Sequence, residues 1–168
     1  MTPQTALPNE ISSRRFYTRI ATPDDLDSIV ELINFAFMDE NKYMQGNRTD
    51  PNEITSYMQK GHFLLFEEEG HILGAIYAEI REEGRGYLAL LATDPKVRRR
   101  GVGKQLLLDG EQFCRERGCQ IVEGSVVSFR QDLVDRYIRR GWRVAGQTSI
   151  DHPSLGGKCD LVVVEKRL

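Results

Sequence analysis

Apolar positions along the chain follow two periods, and each period marks a kind of element. Phe16 to Ile20 is a short apolar-rich run that reads as a strand. Leu26, Ile29, Val30, Ile33 and Phe37 recur at spacings of three and four and fall on one face of a helix. Thr22-Pro23-Asp24-Asp25 supplies its start: Thr22 as cap, Pro23 at the first helical position, Asp25 as the reciprocal acid. Met38 to Thr49 is polar and reads as a loop. Asp50-Pro51-Asn52-Glu53 then opens a shorter helix that ends near Gly61. His62 to Glu67 and Ile72 to Ile80 are strand-like, joined by a turn at Glu68-Glu69-Gly70-His71. A second turn, Glu82 to Gly86, leads into the strand Tyr87 to Thr93, so these three runs form an antiparallel meander.

Downstream the helical period returns. Gln105 to Arg117 buries Leu106, Leu107, Phe113 and Cys114, and Gly118 stops it. Ile121 to Val127 is a strand, and Leu133 to Arg140 a helix closed by Gly141. Arg143 to Ile150 and Cys159 to Lys166 form a terminal hairpin around a loop rich in Pro and Gly. The order βααβββαβαββ predicts one α/β domain with a mixed sheet over residues 16–168. Residues 1–15 are polar, with Pro3 and Pro8, and are expected to be a mobile lead. There are no repeats, low-complexity tracts or interdomain linkers.

The chemistry concentrates at Arg98-Arg99-Arg100-Gly101-Val102-Gly103-Lys104, between the strand ending at Thr93 and the helix that follows. A helix start presents free N–H groups and the positive end of the helix dipole. Gly101 and Gly103 let the backbone approach a bulky anion, and four basic side chains surround it. This is the physics of a phosphate or pyrophosphate cradle. A solvated Arg-rich turn has the same letters. Neither a Walker A loop nor a dinucleotide fingerprint fits. Arg98 stands where the first Walker glycine belongs, Gln105 follows Lys104, and Leu106 replaces the third fingerprint glycine.

Arg98-x-x-Gly101-x-Gly103, after a strand with Asp94-Pro95 at its end, resembles the acyl-CoA-binding motif of the GNAT superfamily of N-acetyltransferases. Tyr137-Ile138-Arg139-Arg140-Gly141-Trp142 resembles that family's Tyr-x-x-x-Gly-Phe segment. The element order resembles the family fold over nearly the whole length. The resemblance implies two central parallel strands that splay apart to admit the pantetheine arm. It implies acetyl-CoA as co-substrate, with its pyrophosphate on Arg98 to Lys104. It assigns an oxyanion-donating N–H to Leu91 and pantetheine pairing to the backbone at Thr93, within the cofactor-binding segment Leu91-Ala92-Thr93. Tyr137 is then the acid that meets the departing thiolate, which suits a phenol within hydrogen-bond reach.

Two departures stand out. Tyr87 occupies the position where some members place a catalytic Glu, so Glu79 or Glu123 on flanking strands, directly or through water, is expected to take the amine proton. Ser128 and Arg130 stand where many members carry an Asn before the last helix; an arginine there suits a phosphate.

Composition narrows the partners. The chain has 168 residues, 23 basic and 25 acidic, for a formal net charge of -2, which argues against bulk binding to nucleic acid. No apolar run approaches membrane length. Cys114, Cys119 and Cys159 lack metal or redox spacing and read as reduced thiols of a cytoplasmic protein. His62, His71 and His152 are scattered, so no metal is expected. The acceptor is expected to be a small-molecule or peptide amine, with Glu40, Tyr43 and Arg48 in its pocket and Asp39 and Asp50 nearby. An acidic pocket suits a cationic amine, and Arg48 suits a carboxylate. Exposed sheet edges of the family fold leave room for a homodimer. The alternatives are a non-catalytic acyl-CoA-binding or regulatory domain, another nucleotide-binding enzyme, and a nucleic-acid binder that uses the triple arginine.

Overall fold

The fold, taken from a computed structural model, is described for residues 16–40 and 46–168. The lead at residues 1–15 lies outside the described residues. The strands are β1 (Phe16–Ile20), β2 (His62–Glu68), β3 (His71–Arg81), β4 (Arg85–Thr93), β5 (Ile121–Val127), β6 (Arg143–His152) and β7 (Gly157–Arg167). The helices are α1 (Leu26–Glu40), α2 (Pro51–Lys60), α3 (Val102–Glu116) and α4 (Gln131–Arg139). Their order along the chain is the one expected from the apolar pattern.

Boundaries moved where local hydrogen bonding reaches beyond the apolar pattern. Pro23–Asp25 is a tight 3-10 turn ahead of α1 rather than its first α turn. The Asp25 carboxylate accepts from the Thr22 N–H at 2.7 Å and from Arg19 Nη1 and Nη2, both at 2.8 Å. That clamp holds the turn against the end of β1. Asp50 caps α2 by accepting the Glu53 N–H at 2.8 Å. Helix α3 begins at Val102, ahead of the expected Gln105, because the Gly101 carbonyl already accepts the Gln105 N–H at 2.9 Å.

The strands lie in one sheet, ordered β1-β2-β3-β4-β5-β7-β6. Every neighbouring pair is antiparallel except β4 and β5. Those two run parallel and pair only through Arg85↔Ile121, Gly86↔Val122 and Tyr87↔Glu123. Beyond that point β4 continues to Thr93 and β5 to Val127 without pairing, so the sheet opens in a V. The expected splay of the central parallel strands is present.

Two apolar layers sandwich the sheet. Alternation along β2 sends Phe63 and Leu65 to one side and Leu64 and Phe66 to the other, and all four are buried. The first pair packs with Ile29, Ile33 and Ile54 of α1 and α2. The second packs with Leu106 and Leu107 of α3 and with Val134 of α4. Helix α3 sits close to the strands because Gly86 leaves room. A Cβ there would stand 2.5 Å from Cys114 Sγ. Cys114 is packing, as expected, and burial pushes its thiol up to about 12.

Candidate functional site

The V between β4 and β5 is the mouth of a cavity of about 280 Å³. Open α/β sheets place ligands at strand ends of this kind. Tyr87 to Thr93 line one wall and Ser125 to Val127 the other. The β4 wall is kinked. Leu90 sits at φ +51 and the β3–β4 register slips between Ala75 and Tyr77. A left-handed leucine costs on the order of 1 kcal/mol and needs the surrounding packing to hold it. The kink turns the backbone of Leu90 and Leu91 out of the regular β3 ladder, beside a cavity that β5 no longer closes.

The cradle follows at once. Asp94 accepts the Lys96 N–H at 2.8 Å and starts a short 3-10 turn, Pro95–Val97. Arg99 at φ +67 and Gly101 at φ +82 then reverse the chain into α3. Val102, Gly103 and Lys104 form the first turn of α3, whose N–H groups have no acceptor within the helix. Gly103 lines the cavity, and a Cβ on it would meet only Thr93 Cγ2, at 3.7 Å.

The four cations do not act alike, which corrects the expectation that all surround the amides. Arg98 Nη2 turns back and donates to the Ala36 carbonyl of α1 at 3.3 Å. Arg100 Nη2 donates to Glu68 Oε2 at 2.7 Å, on the β2 end. Arg99 and Lys104 are exposed. Arg98 therefore ties this loop to α1, while Arg99 and Lys104 stay open to solvent.

Tyr137 projects from α4 into the cavity. Burial pushes its phenol up to about 12, with the nearby Arg140 guanidinium opposing. Its ring stands edge-on to Trp142 at 5.1 Å between centroids. Trp142 is buried and donates from Nε1 to Glu111 Oε1 at 3.1 Å, while Lys166 Nζ reaches Glu111 Oε2 at 2.9 Å. This supporting chain was not foreseen. Glu111 lies on the apolar side of α3, one residue after Gly110 and two before Phe113, where an acid asks for a partner. The residue after Gly141 is the one that reaches it.

Arg130 also lines the cavity, with its guanidinium held by both oxygens of Asp132 at 2.9 Å. Arg136 and Arg140 join it on the α4 side. Opposite, Tyr87 lines the cavity with the Arg81 guanidinium 3.8 Å from its ring centroid.

Glu79 and Glu123 do not reach the cavity wall, against the expectation for a proton acceptor. They flank Tyr87 in one cross-strand row at the closed end of the V. Each already has partners there: Glu79 accepts the Tyr77 hydroxyl at 2.8 Å and pairs with Arg81 at 3.2 Å, and Glu123 pairs with Arg85.

On the acceptor side the structure brings in Arg48, Phe37 and Tyr57. Tyr57, on α2, was not foreseen; burial pushes its phenol up, and Arg48 opposes the shift. Tyr43 and the side chain of Glu40 lie outside the described residues. Asp50 is spent as the α2 cap. Among the described residues, no Asp, Glu or His lines the cavity. Among the described residues, no three His, Cys, Asp or Glu side chains gather to hold a metal ion, and no helix is long and apolar enough to cross a membrane.

Comparison with known proteins agrees with this fold. The chain is 27% identical over 136 residues to the aminoalkylphosphonate N-acetyltransferase of Salmonella typhimurium, covering 74% of this chain and 83% of that protein. The fold matches ribosomal-protein-alanine N-acetyltransferase from Brucella melitensis with a TM-score of 0.71 at 21% identity, over 90% of this chain and 99% of the other. It also matches the yncA protein of Salmonella typhimurium, solved with its cofactor acetyl-CoA, with a TM-score of 0.69 at 20% identity, over 91% and 94% of the two chains. Residues 26–142 match the model of the acetyltransferase (GNAT) family, and they contain the cradle, the kinked strand and Tyr137: the chain belongs to that family.

Proposed function

We propose that the protein transfers the acetyl group of acetyl-CoA to a primary amine of a small molecule or peptide, by direct attack in a ternary complex. The observation that carries this reading is one cavity shared by the α3 start, the kinked β4 and Tyr137. Acetyl-CoA supplies the activated thioester. The first-turn amides of α3, with Arg99 and Lys104, hold its pyrophosphate, and Arg130 adds charge beside them. The Leu91 N–H polarises the thioester carbonyl, and the stretch through Ala92 and Thr93 aligns the pantetheine arm. A preorganised backbone donor of this kind costs no reorganisation during reaction.

Tyr137 serves as general acid toward sulfur. With its phenol near 12 it stays protonated at neutral pH and has a proton to offer. A free thiol titrates at about 8.5, so the hydroxyl acts chiefly as a hydrogen-bond donor while charge develops on sulfur. Among the described residues no carboxylate lines the cavity, and in this reading the amine proton leaves through water. Tyr87 is the lining hydroxyl on that route, and Glu123 or Glu79 receives the proton behind it. The Salmonella relative, whose name joins an amine to a phosphonate, supports a small amine as acceptor.

The test is single-turnover release of CoA across a panel of amines, amino acids, polyamines and peptides, read by mass spectrometry. An amine-dependent burst with a matching acetylated product supports transfer. Tight acetyl-CoA binding with no burst for any amine points instead to a non-catalytic acyl-CoA-binding domain.

A further inference from the structure

Among the described residues, the acceptor wall of the cavity carries an arginine and no acid. Arg48 lines the cavity with its side chain only 11% exposed. Its placement is built, not incidental. The neighbouring Thr49 is pinned to α1 by a reciprocal pair: Thr49 N–H to Asn34 Oδ1 at 2.9 Å, and Asn34 Nδ2 to the Thr49 carbonyl at 3.0 Å. Phe37 lies under the guanidinium at 5.7 Å. Glu53 Oε1 takes Nη1 at 3.1 Å.

Glu53 is itself held from the other side. His152 caps the turn at Ser154, accepting at Nδ1 from the Ser154 N–H at 3.2 Å and the Ser154 hydroxyl at 2.7 Å. That fixes the proton on Nε2, which donates to Glu53 Oε2 at 2.9 Å. Both Glu53 oxygens are thus engaged. Glu53 meets Arg48 at Nη1 alone, and no described carboxylate meets Nη2 or Nε. Tyr57, facing the same space, adds a phenol beside the guanidinium. A buried guanidinium whose described carboxylate contact is confined to Nη1, hydrogen-bonded to a phenol that keeps its own proton to donate and set over an apolar ring, is a receptor for a planar or tetrahedral oxyanion. The other lining cations, Arg130, Arg136 and Arg140, stand across the cavity on the α4 side.

We infer that the acceptor is a compact amine that also carries an anionic group, a carboxylate, phosphonate or sulfonate, and that Arg48 with Tyr57 binds that group. The inference rests on the acetyl-transfer reading only for what happens to the amine; binding of the anionic acceptor stands apart from it.

The test measures binding and turnover separately on the full chain. Calorimetry on CoA-saturated protein compares matched amines: 2-aminoethylphosphonate, β-alanine and taurine against propylamine and β-alaninamide. At least one anionic amine is expected to bind about tenfold or more tighter than its neutral partner, the worth of a charge-assisted hydrogen bond. Arg48→Met should bring the two within about twofold, and Arg48→Lys should keep part of the preference. In turnover the loss should fall on KM more than on kcat, because the anion contact is the same before and during reaction. If Arg48→Met strands Glu53 and unfolds, Arg48→Met/Glu53→Gln removes the pair together. Equal or tighter binding of the neutral amines overturns the inference. So does a preference that survives loss of Arg48, or no saturable binding of any anionic amine. Selective binding without acetyl transfer supports the inference and overturns the transfer reading instead.

Discussion

Tyr137, the acid of the proposed reaction, is held by residues that do not line the cavity. Its ring leans on Trp142, and Trp142 is locked by Glu111. Tyr137→Phe keeps that packing and removes only the hydroxyl. Melting temperature and acetyl-CoA affinity are expected to stay put while kcat falls by a factor on the order of 10²–10⁴. Full activity in the Phe variant ends the catalytic role. The pH dependence follows from the same residue. The phenol is needed protonated and titrates near 12, so it contributes no alkaline loss of kcat below about that pH. A limb that falls near pH 10 and disappears in Tyr137→Phe contradicts this.

At the scale of elements, the cradle joins β4 to α3, and Gly103 separates binding from folding. Its Cβ position is open apart from Thr93 Cγ2 at 3.7 Å, and it faces the cavity. Gly103→Val is therefore expected to fold normally and to lose acetyl-CoA binding in calorimetry, as the branched side chain fills the approach to the amides. The junction between β1 and the turn before α1 gives a second prediction. Arg19 binds Asp25 at 2.8 Å and Glu67 at 2.6 Å, and the guanidinium holds the Asp25 carboxyl down at about 2. The unfolded carboxyl titrates at about 3.9. A depressed acid stabilises the fold above its unfolded value and loses that contribution as pH falls through the folded value. Wild-type melting temperature should drop between about pH 4 and pH 2 more steeply than that of Asp25→Asn. Parallel curves for the two proteins reject the clamp.

For the whole molecule, what matters is how tightly α3 is seated on the sheet, because that seat fixes the cradle relative to the V. Gly86 and Cys114 are the closest point, with a Cβ at Gly86 placed 2.5 Å from Sγ. Gly86→Ala should destabilise by roughly 1–3 kcal/mol, the usual cost of overpacking. Cys114→Ala should recover part of that loss in the double variant, since it removes the atom being struck. Additive losses in denaturant unfolding mean that the close approach is not the cause.

The chain's own order of letters determined the elements. Helical and strand periods, Thr22 and Asp50 as start signals, and Gly118 and Gly141 as stops are local physics, acting within a turn or two. The cradle was legible for the same reason: Arg98 to Lys104 are contiguous, and a helix start exposes its amides whatever lies around it. The role proposed for Tyr137 comes from resemblance alone, since no local rule distinguishes a catalytic tyrosine from a packed one. Tertiary structure decided everything that needs residues far apart in sequence to meet. It turned Arg98 inward to the Ala36 carbonyl and gave Arg100 to Glu68. It set Glu79 and Glu123 at the closed end of the V, where paired strands leave no opening. It brought Arg48, Glu53 and His152 together from a loop, a helix and the far hairpin. Charge is additive along a sequence, but which charge faces a cavity depends on which partners bury the rest.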